Sequence, residues 1–164
     1  MRAIDMFQVV RNNEADIFFS EVGNFDVSQI NENGQNLLHE AVAYNNVLLG
    51  GKLIEMGVDV NGLDSKSQTP LHYAANYNAQ ALAEVILRHG GNLGIEDCYG
   101  NQALWTAVFN ARGDYGLVLE FLRYGPDVNH RNKAGRSPLD FARQIGDQAL
   151  IDILSNAQAP QASG

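Results

Sequence analysis

An eight-residue pattern returns four times along this chain, and its spacing limits the possible folds more than any other feature. Each copy begins with a small residue, has leucine at its fifth position and ends in alanine. The copies are Gly34–Ala41, Ser67–Ala74, Gly100–Ala107 and Gly135–Ala142, offset by 33, 33 and 35 residues. A second segment, Met56–Asn61, returns at His89–Gly94 and Tyr124–Asn129 with the same offsets. A period of about 20 to 50 residues indicates a stack of repeated units.

The residues inside each copy are typical of the start of a helix. Pro70 and Pro138 fit the first helical turn, where the missing N–H costs nothing, and Thr69 and Ser137 beside them are candidate caps. A second, amphipathic helix follows in each unit, as in Leu82–Leu87 and Leu117–Leu122. Glycine then ends that helix, because it tolerates the left-handed conformation. These glycines are Gly57, Gly90 and Gly125, and the inward-facing small residues are Ala41, Ala74, Ala107 and Ala142.

The segment Thr69–Ala74 reads Thr-Pro-Leu-His-Tyr-Ala, and here the chain resembles the ankyrin repeat family. The resemblance implies an all-α solenoid of stacked helix-turn-helix units joined by β-hairpin-like loops. We expect one domain over residues 1–155 and a flexible tail over 156–164. Within the domain, an N-terminal cap unit over 1–30 precedes repeats over 31–63, 64–96, 97–131 and 132–155.

The charge of the chain bears on its partners and its compartment. The net charge is -8, and residues 1–62 carry nine acidic side chains against three basic ones. Nucleic acid binding needs a basic stripe, so we expect a protein partner with a basic or mixed patch instead. The single cysteine, Cys98, excludes an internal disulfide, and the sequence contains no apolar run of membrane-spanning length. We therefore expect a cytoplasmic protein that is a monomer when free and does not bind membranes.

The third repeat departs from the other three. Gln102 and Ala103 replace Thr-Pro, Trp105 replaces histidine, and two extra residues fall within Asn110–Gly116. Binding residues are often found on such longer loops, and drift in a surface loop is the alternative explanation.

An aromatic stripe is the sharper prediction for a binding face. Tyr44 and Tyr77 lie 33 residues apart at one position of the unit, Phe109 is adjacent to that position, and Tyr99 lies at a hairpin tip. Exposed aromatic side chains supply large anchoring area, and the alternative for Phe109 and Tyr44 is that they pack between repeats. The full predicted partner-binding set is Glu32, Asn33, Gln35, Tyr44, Ser65, Lys66, Gln68, Asn76, Tyr77, Tyr99, Asn101, Phe109, Asn110, Arg112, Lys133 and Arg136.

The sequence offers little support for catalysis. His39 and His72 occupy equivalent positions in stacked units about 10 Å apart, which is too far for shared zinc ligation, so we expect structural hydrogen bonds. Cys98 follows an aspartate, which opposes thiolate formation. We predict no catalytic residue, no metal and no cofactor.

These features favour a non-catalytic protein-binding module. Its sharper form is an inhibitor or immunity-type protein, because small acidic chains of this kind resemble bacterial proteins that mask a toxin or an enzyme. Two alternatives stay open. One is a small-ligand sensor or enzyme that uses the third-repeat loop with Trp105 as a pocket wall. The other is a structural fragment of a longer scaffold.

Overall fold

The computed structural model describes residues 3–158, which form helices joined by turns and loops. The helices come in five consecutive pairs. Their bounds are α1 Met6–Arg11 and α2 Ala15–Ser20, α3 Leu37–Ala43 and α4 Val47–Glu55, α5 Pro70–Tyr77 and α6 Gln80–Arg88, α7 Ala103–Asn110 and α8 Gly116–Leu122, and α9 Pro138–Ile145 and α10 Gln148–Gln158. The all-helical solenoid expected from the sequence is confirmed.

The pairs stack into two layers. The first helices of the pairs (α1, α3, α5, α7 and α9) pack on one another in chain order and form an inner layer, while α4, α6 and α8 pack in the same way in an outer layer. One continuous apolar core runs between them from Met6 to Leu154. The repeated alanines are all buried in this core, so the inner helices approach closely.

The inner helices begin as the sequence predicted. Thr69 and Ser137 cap α5 and α9 by accepting the backbone N–H three residues later, and Pro70 and Pro138 occupy the first turn. Asn36 caps α3 in the same way, but Gln102 gives α7 no side-chain cap. Helix α7 therefore starts without the bond that the other three units have.

The turns between paired helices explain the irregular third unit. Asn13, Asn45 and Asn78 each take the left-handed conformation there, with φ of 55°, 54° and 52°. Asparagine is one of the few residue types that adopts this conformation readily. In the third unit Arg112 and Gly113 have positive φ instead, which places the two-residue insertion in the turn before α8.

The hairpin-like loops also stack in register. Their backbones pair across Asn31 and Gln35, Asp64 and Gln68, Asp97 and Asn101, and Asn132 and Arg136. Each loop then donates one N–H to the loop before it, from Ser65 to Asn33, Cys98 to Lys66 and Lys133 to Tyr99, at 2.9 to 3.0 Å. The loops consequently form one rigid row beside the inner helices.

At the C-terminal side, α10 continues to Gln158, so residues 156–158 are helical although the sequence assigned them to a flexible tail. The remainder of that predicted tail, 159–164, lies outside the described residues. Of the helices between residues 3 and 158, none combines the length and the apolar character needed to cross a bilayer.

Candidate protein-binding groove

The row of hairpin loops and the inner helices enclose two adjoining cavities, which we call the inner groove. The first, of about 370 Å³, lies at repeats one and two, and the second, of about 260 Å³, lies at repeats two and three. Gln68 and Asn76 line both cavities, so the groove is continuous. From the predicted set, the residues that line it are Asn33, Gln35, Ser65, Lys66, Gln68, Asn76, Tyr77, Tyr99, Asn101, Phe109 and Asn110.

The predicted aromatic residues are all exposed, and Tyr77, Tyr99 and Phe109 line the groove, whereas Tyr44 lines neither cavity. Tyr44, Tyr77, Tyr99 and Phe109 have relative exposures of 53%, 58%, 61% and 54%. Packing between repeats, the alternative for Tyr44 and Phe109, therefore accounts for less than half of either side chain. Such aromatic side chains present apolar area with few rotatable bonds, which suits a binding surface.

Phe109 belongs to an aromatic cluster that extends toward the fourth repeat. Its ring centroid lies 5.2 Å from that of Phe141, and the Trp105 ring meets Phe141 edge-on at 5.6 Å. Trp105 occupies the position at which the first two repeats carry histidine. Trp105 and Phe109 from this cluster give the third-repeat end of the groove an apolar wall.

At the first-repeat end, a buried tyrosine hydroxyl joins two hairpin loops. The Tyr73 hydroxyl donates to Asp64 Oδ2 at 2.7 Å and accepts from Gln35 Nε2 at 2.7 Å. Burial, and next the hydrogen bond to the Asp64 carboxylate, raise the pKa of Tyr73 well above its usual range. The hydroxyl therefore stays protonated and works as a fixed structural link.

His39 and His72, which lie in the first two eight-residue copies, make structural hydrogen bonds, as predicted from the sequence. Nδ1 of His39 and of His72 accepts the N–H of the helix cap residue, and Nε2 bonds the carbonyl of Gln68 or Asn101 in the next repeat at 2.9 Å. Because Nδ1 accepts, Nε2 carries the proton. Burial lowers the pKa of both side chains, which keeps them neutral. Their ring nitrogens thus hold consecutive repeats together.

The remaining predicted site residues lie at the ends of the groove. Glu32 is exposed on the first hairpin loop, while Lys133 donates to the Cys98 carbonyl and Arg136 donates to Gln144 Oε1 in the fourth repeat. Arg112 lines a third cavity of about 270 Å³ at the inserted turn, and this cavity shares Asn76 and Asn110 with the groove. Trp105 does not line that cavity, so the turn and this tryptophan do not share one pocket.

The residues that shape the hairpin loops are mostly absent from the set predicted from the sequence. Oδ1 of Asn31, Asp64, Asp97 and Asn132 accepts two backbone N–H bonds within its own loop. They could have been found from the sequence, because they recur at the same offsets as the eight-residue copies. Short polar side chains that bond the backbone two residues on are typical of such turns.

Helix pairs stacked in register, joined by hydrogen-bonded loops and flanked by one groove, define a class of repeat protein whose binding face runs along the stack. A sequence profile described as ankyrin repeats (3 copies) matches residues 6–97 and again 38–132. The chain belongs to the ankyrin repeat family, as the Thr69–Ala74 segment indicated.

Curated relatives carry the same kind of repeat within longer proteins. The B-cell lymphoma 3 protein homolog of Mus musculus is 34% identical over 146 residues, covering 87% of this chain and 31% of the relative. Rabankyrin-5 of Homo sapiens is 30% identical over 141 residues, covering 75% and 12%. Inversin of Mus musculus is 30% identical over 105 residues, covering 62% and 10%. The chain thus spans less than a third of the length of these relatives.

Proposed function

We propose that this chain is a non-catalytic module that binds a partner protein through the inner groove and the hairpin loops beside it. Family membership supports a protein-binding role in general. The observation that supports this particular face is the continuity of the groove, which joins exposed Tyr77, Tyr99 and Phe109 around the amides of Gln68 and Asn76. Rigid aromatic anchors around unpaired polar groups are typical of binding hot spots.

In its sharper form, the proposal is an inhibitor or immunity-type protein of the bacterial kind, acting in the cytoplasm as a monomer that masks a toxin or an enzyme. The acidic first half supports a partner with a basic or mixed patch, because opposite charges speed encounter. Asp16 and Asp26 are exposed in the N-terminal cap unit, which precedes the first repeat in the stack. A basic patch of the partner would therefore contact the N-terminal cap unit and the first repeat while other partner residues enter the groove.

The experiment uses the tagged full chain as bait in an extract of its source, with mass spectrometry of the captured proteins. Tyr77→Ala removes a groove anchor, and Leu48→Ala is the matched control because Leu48 is 61% exposed on the outer helix α4. We expect Tyr77→Ala to lower capture of the main partner about tenfold or more, and Leu48→Ala to leave it unchanged. Equal capture by both variants would place the binding face elsewhere.

Salt tests the electrostatic part separately. Raising NaCl from about 0.05 to 0.5 M shortens the screening length severalfold, so capture through the acidic half should weaken. Capture that is insensitive to salt would remove the basic patch from the proposal without affecting the groove.

A further inference from the structure

The second and third repeats differ at one position that changes the groove. One group of three residues consists of Gln35, Asp64 and Tyr73. The equivalent residues, each 33 positions later, are Gln68, Asp97 and Thr106. The earlier trio is closed, since the Tyr73 hydroxyl satisfies both Gln35 and Asp64. Threonine is too short to bring its hydroxyl to the place that the tyrosine hydroxyl reaches.

The corresponding groups of the later trio are left open. Within residues 3–158, the Gln68 side-chain amide makes no hydrogen bond, and Oδ2 of Asp97 accepts none, because both N–H bonds to that side chain reach Oδ1. Asp97 is only 6% exposed, yet it lines the 260 Å³ cavity together with Gln68 and Thr106. Oδ2 of Asp97 still reaches solvent through the cavity, because Glu120 Oε1 is the side-chain atom of residues 3–158 that is both buried and unpaired. An incoming donor would replace that solvent contact with a direct hydrogen bond.

The charge and shape of the cavity limit which kind of chemical group can bind in it. Lys133 already places its ammonium 2.8 Å from the carbonyl of Cys98, the residue after Asp97, so a neutral donor fits better than a second cation. Trp105, Tyr99 and Phe109 line the same cavity and provide apolar walls for an aromatic ring. A phenol combines this ring with a hydroxyl that donates to a carboxylate and accepts from an amide.

We propose that the cavity between Gln68, Asp97 and Thr106 is a subsite for a tyrosine side chain of the partner protein. The incoming hydroxyl takes the role in the third repeat that the Tyr73 hydroxyl has in the second, donating to Asp97 Oδ2 and accepting from Gln68. This inference rests on the proposed function, because it names one residue type that the groove recognises.

The first test uses small probes on the isotope-labelled full chain, followed by NMR. N-acetyl-L-tyrosinamide should shift the Gln68 side-chain amide and the Trp105 indole signals in a saturable manner. N-acetyl-L-phenylalaninamide lacks the hydroxyl and should bind about tenfold more weakly. Equal binding of the two amides, tighter binding of N-acetyl-L-argininamide, or shifts confined to other residues would each overturn the proposal.

Two variants complete the test. Thr106→Tyr supplies an internal hydroxyl and should abolish the tyrosinamide shifts at Gln68. Asp97→Asn keeps Oδ1 for the hairpin loop, as Asn31 and Asn132 do in other repeats, but replaces the free acceptor by a donor, and should weaken binding about tenfold. Undiminished binding to either folded variant, judged by an unchanged backbone spectrum, would contradict the assignment.

Partner capture separates this inference from the function on which it rests. If Tyr77→Ala loses the partner while Thr106→Tyr retains it, the groove binds the partner but this subsite does not take part. If both variants lose the partner and Leu48→Ala keeps it, groove and subsite are both supported. If all three capture equally, the proposed function fails, and the probe titration still decides whether the cavity binds a phenol.

Discussion

The stacking of the hairpin loops can be tested with two glycines that share one backbone conformation. Gly100 and Gly135 are equivalent residues of the third and fourth repeats, and both have φ of +74°. A Cβ on Gly100 would lie 2.9 Å from the backbone nitrogen of Lys133 in the next loop, whereas a Cβ on Gly135 meets nothing within 4 Å. The same substitution therefore probes two environments.

The expected magnitudes follow from this difference. Alanine in the left-handed region costs about 1–2 kcal/mol at either site. At Gly100 the added methyl also presses on Lys133, whose N–H bonds the Tyr99 carbonyl at 3.0 Å, and such overpacking costs about 1–3 kcal/mol more. We expect Gly100→Ala to lower the free energy of unfolding by about 2–5 kcal/mol and Gly135→Ala by about 1–2 kcal/mol.

Urea denaturation followed by circular dichroism measures the two losses. Both substitutions change the unfolded chain in the same way, so that contribution cancels in the comparison. In a chain of this size each kcal/mol corresponds to about 2–4 °C in Tm, which makes the difference visible in thermal unfolding as well. Equal losses from the two variants would refute the view that backbone contact between loops holds the row together.

Three further changes have definite expected outcomes. Gln102→Thr should raise the free energy of unfolding by about 1 kcal/mol, because a threonine hydroxyl can cap α7 where the Trp105 backbone N–H now bonds only the Gln102 carbonyl, and Gln102→Ala should not. Gly51→Ala, inside α4 with nothing within 4 Å of the new methyl, should stabilise by about 0.5–1 kcal/mol in the same assay. Burial lowers the pKa of His39 and His72 in the folded state, so the unfolded chain gains protons first. Urea titrations should therefore find stability that is full above about pH 6.5 and falls below it, and a flat profile from pH 7 to 5 would contradict this.

Repeat spacing made the fold predictable from the sequence. The capping residue beside proline and the glycine after the second helix recur at the repeat spacing. The conformational preferences of these residues therefore agree with the overall architecture. The insertion was also located, because a change of offset from 33 to 35 residues can be counted. The conformation of Arg112 and Gly113 could not be predicted from residue spacing, since the path of a longer turn depends on packing against its neighbours.

The candidate groove was harder to predict, for a physical reason. Equivalent positions such as Tyr44, Tyr77 and Ile145 can be aligned from sequence, and all three are exposed. Whether their neighbours are free or hydrogen-bonded depends on contacts between repeats, as with Gln35, which reaches Tyr73 across 38 positions. Gln35 and Gln68 therefore both belong to the predicted partner-binding set, although the Gln35 side chain is hydrogen-bonded and the Gln68 side chain is open.

A repeat protein offers an internal comparison that other folds lack, because equivalent residues of neighbouring repeats share one backbone conformation and can be compared directly. The second repeat fills the space between its loop and the previous loop with Tyr73, while the third leaves the same space to Thr106 and keeps the carboxylate of Asp97. The loop itself does not need the second carboxylate oxygen, since asparagine serves the matching loop position of the fourth repeat through Oδ1. Asp97 serves the loop through Oδ1 alone, so its Oδ2, which reaches solvent in the cavity, is available to an external donor.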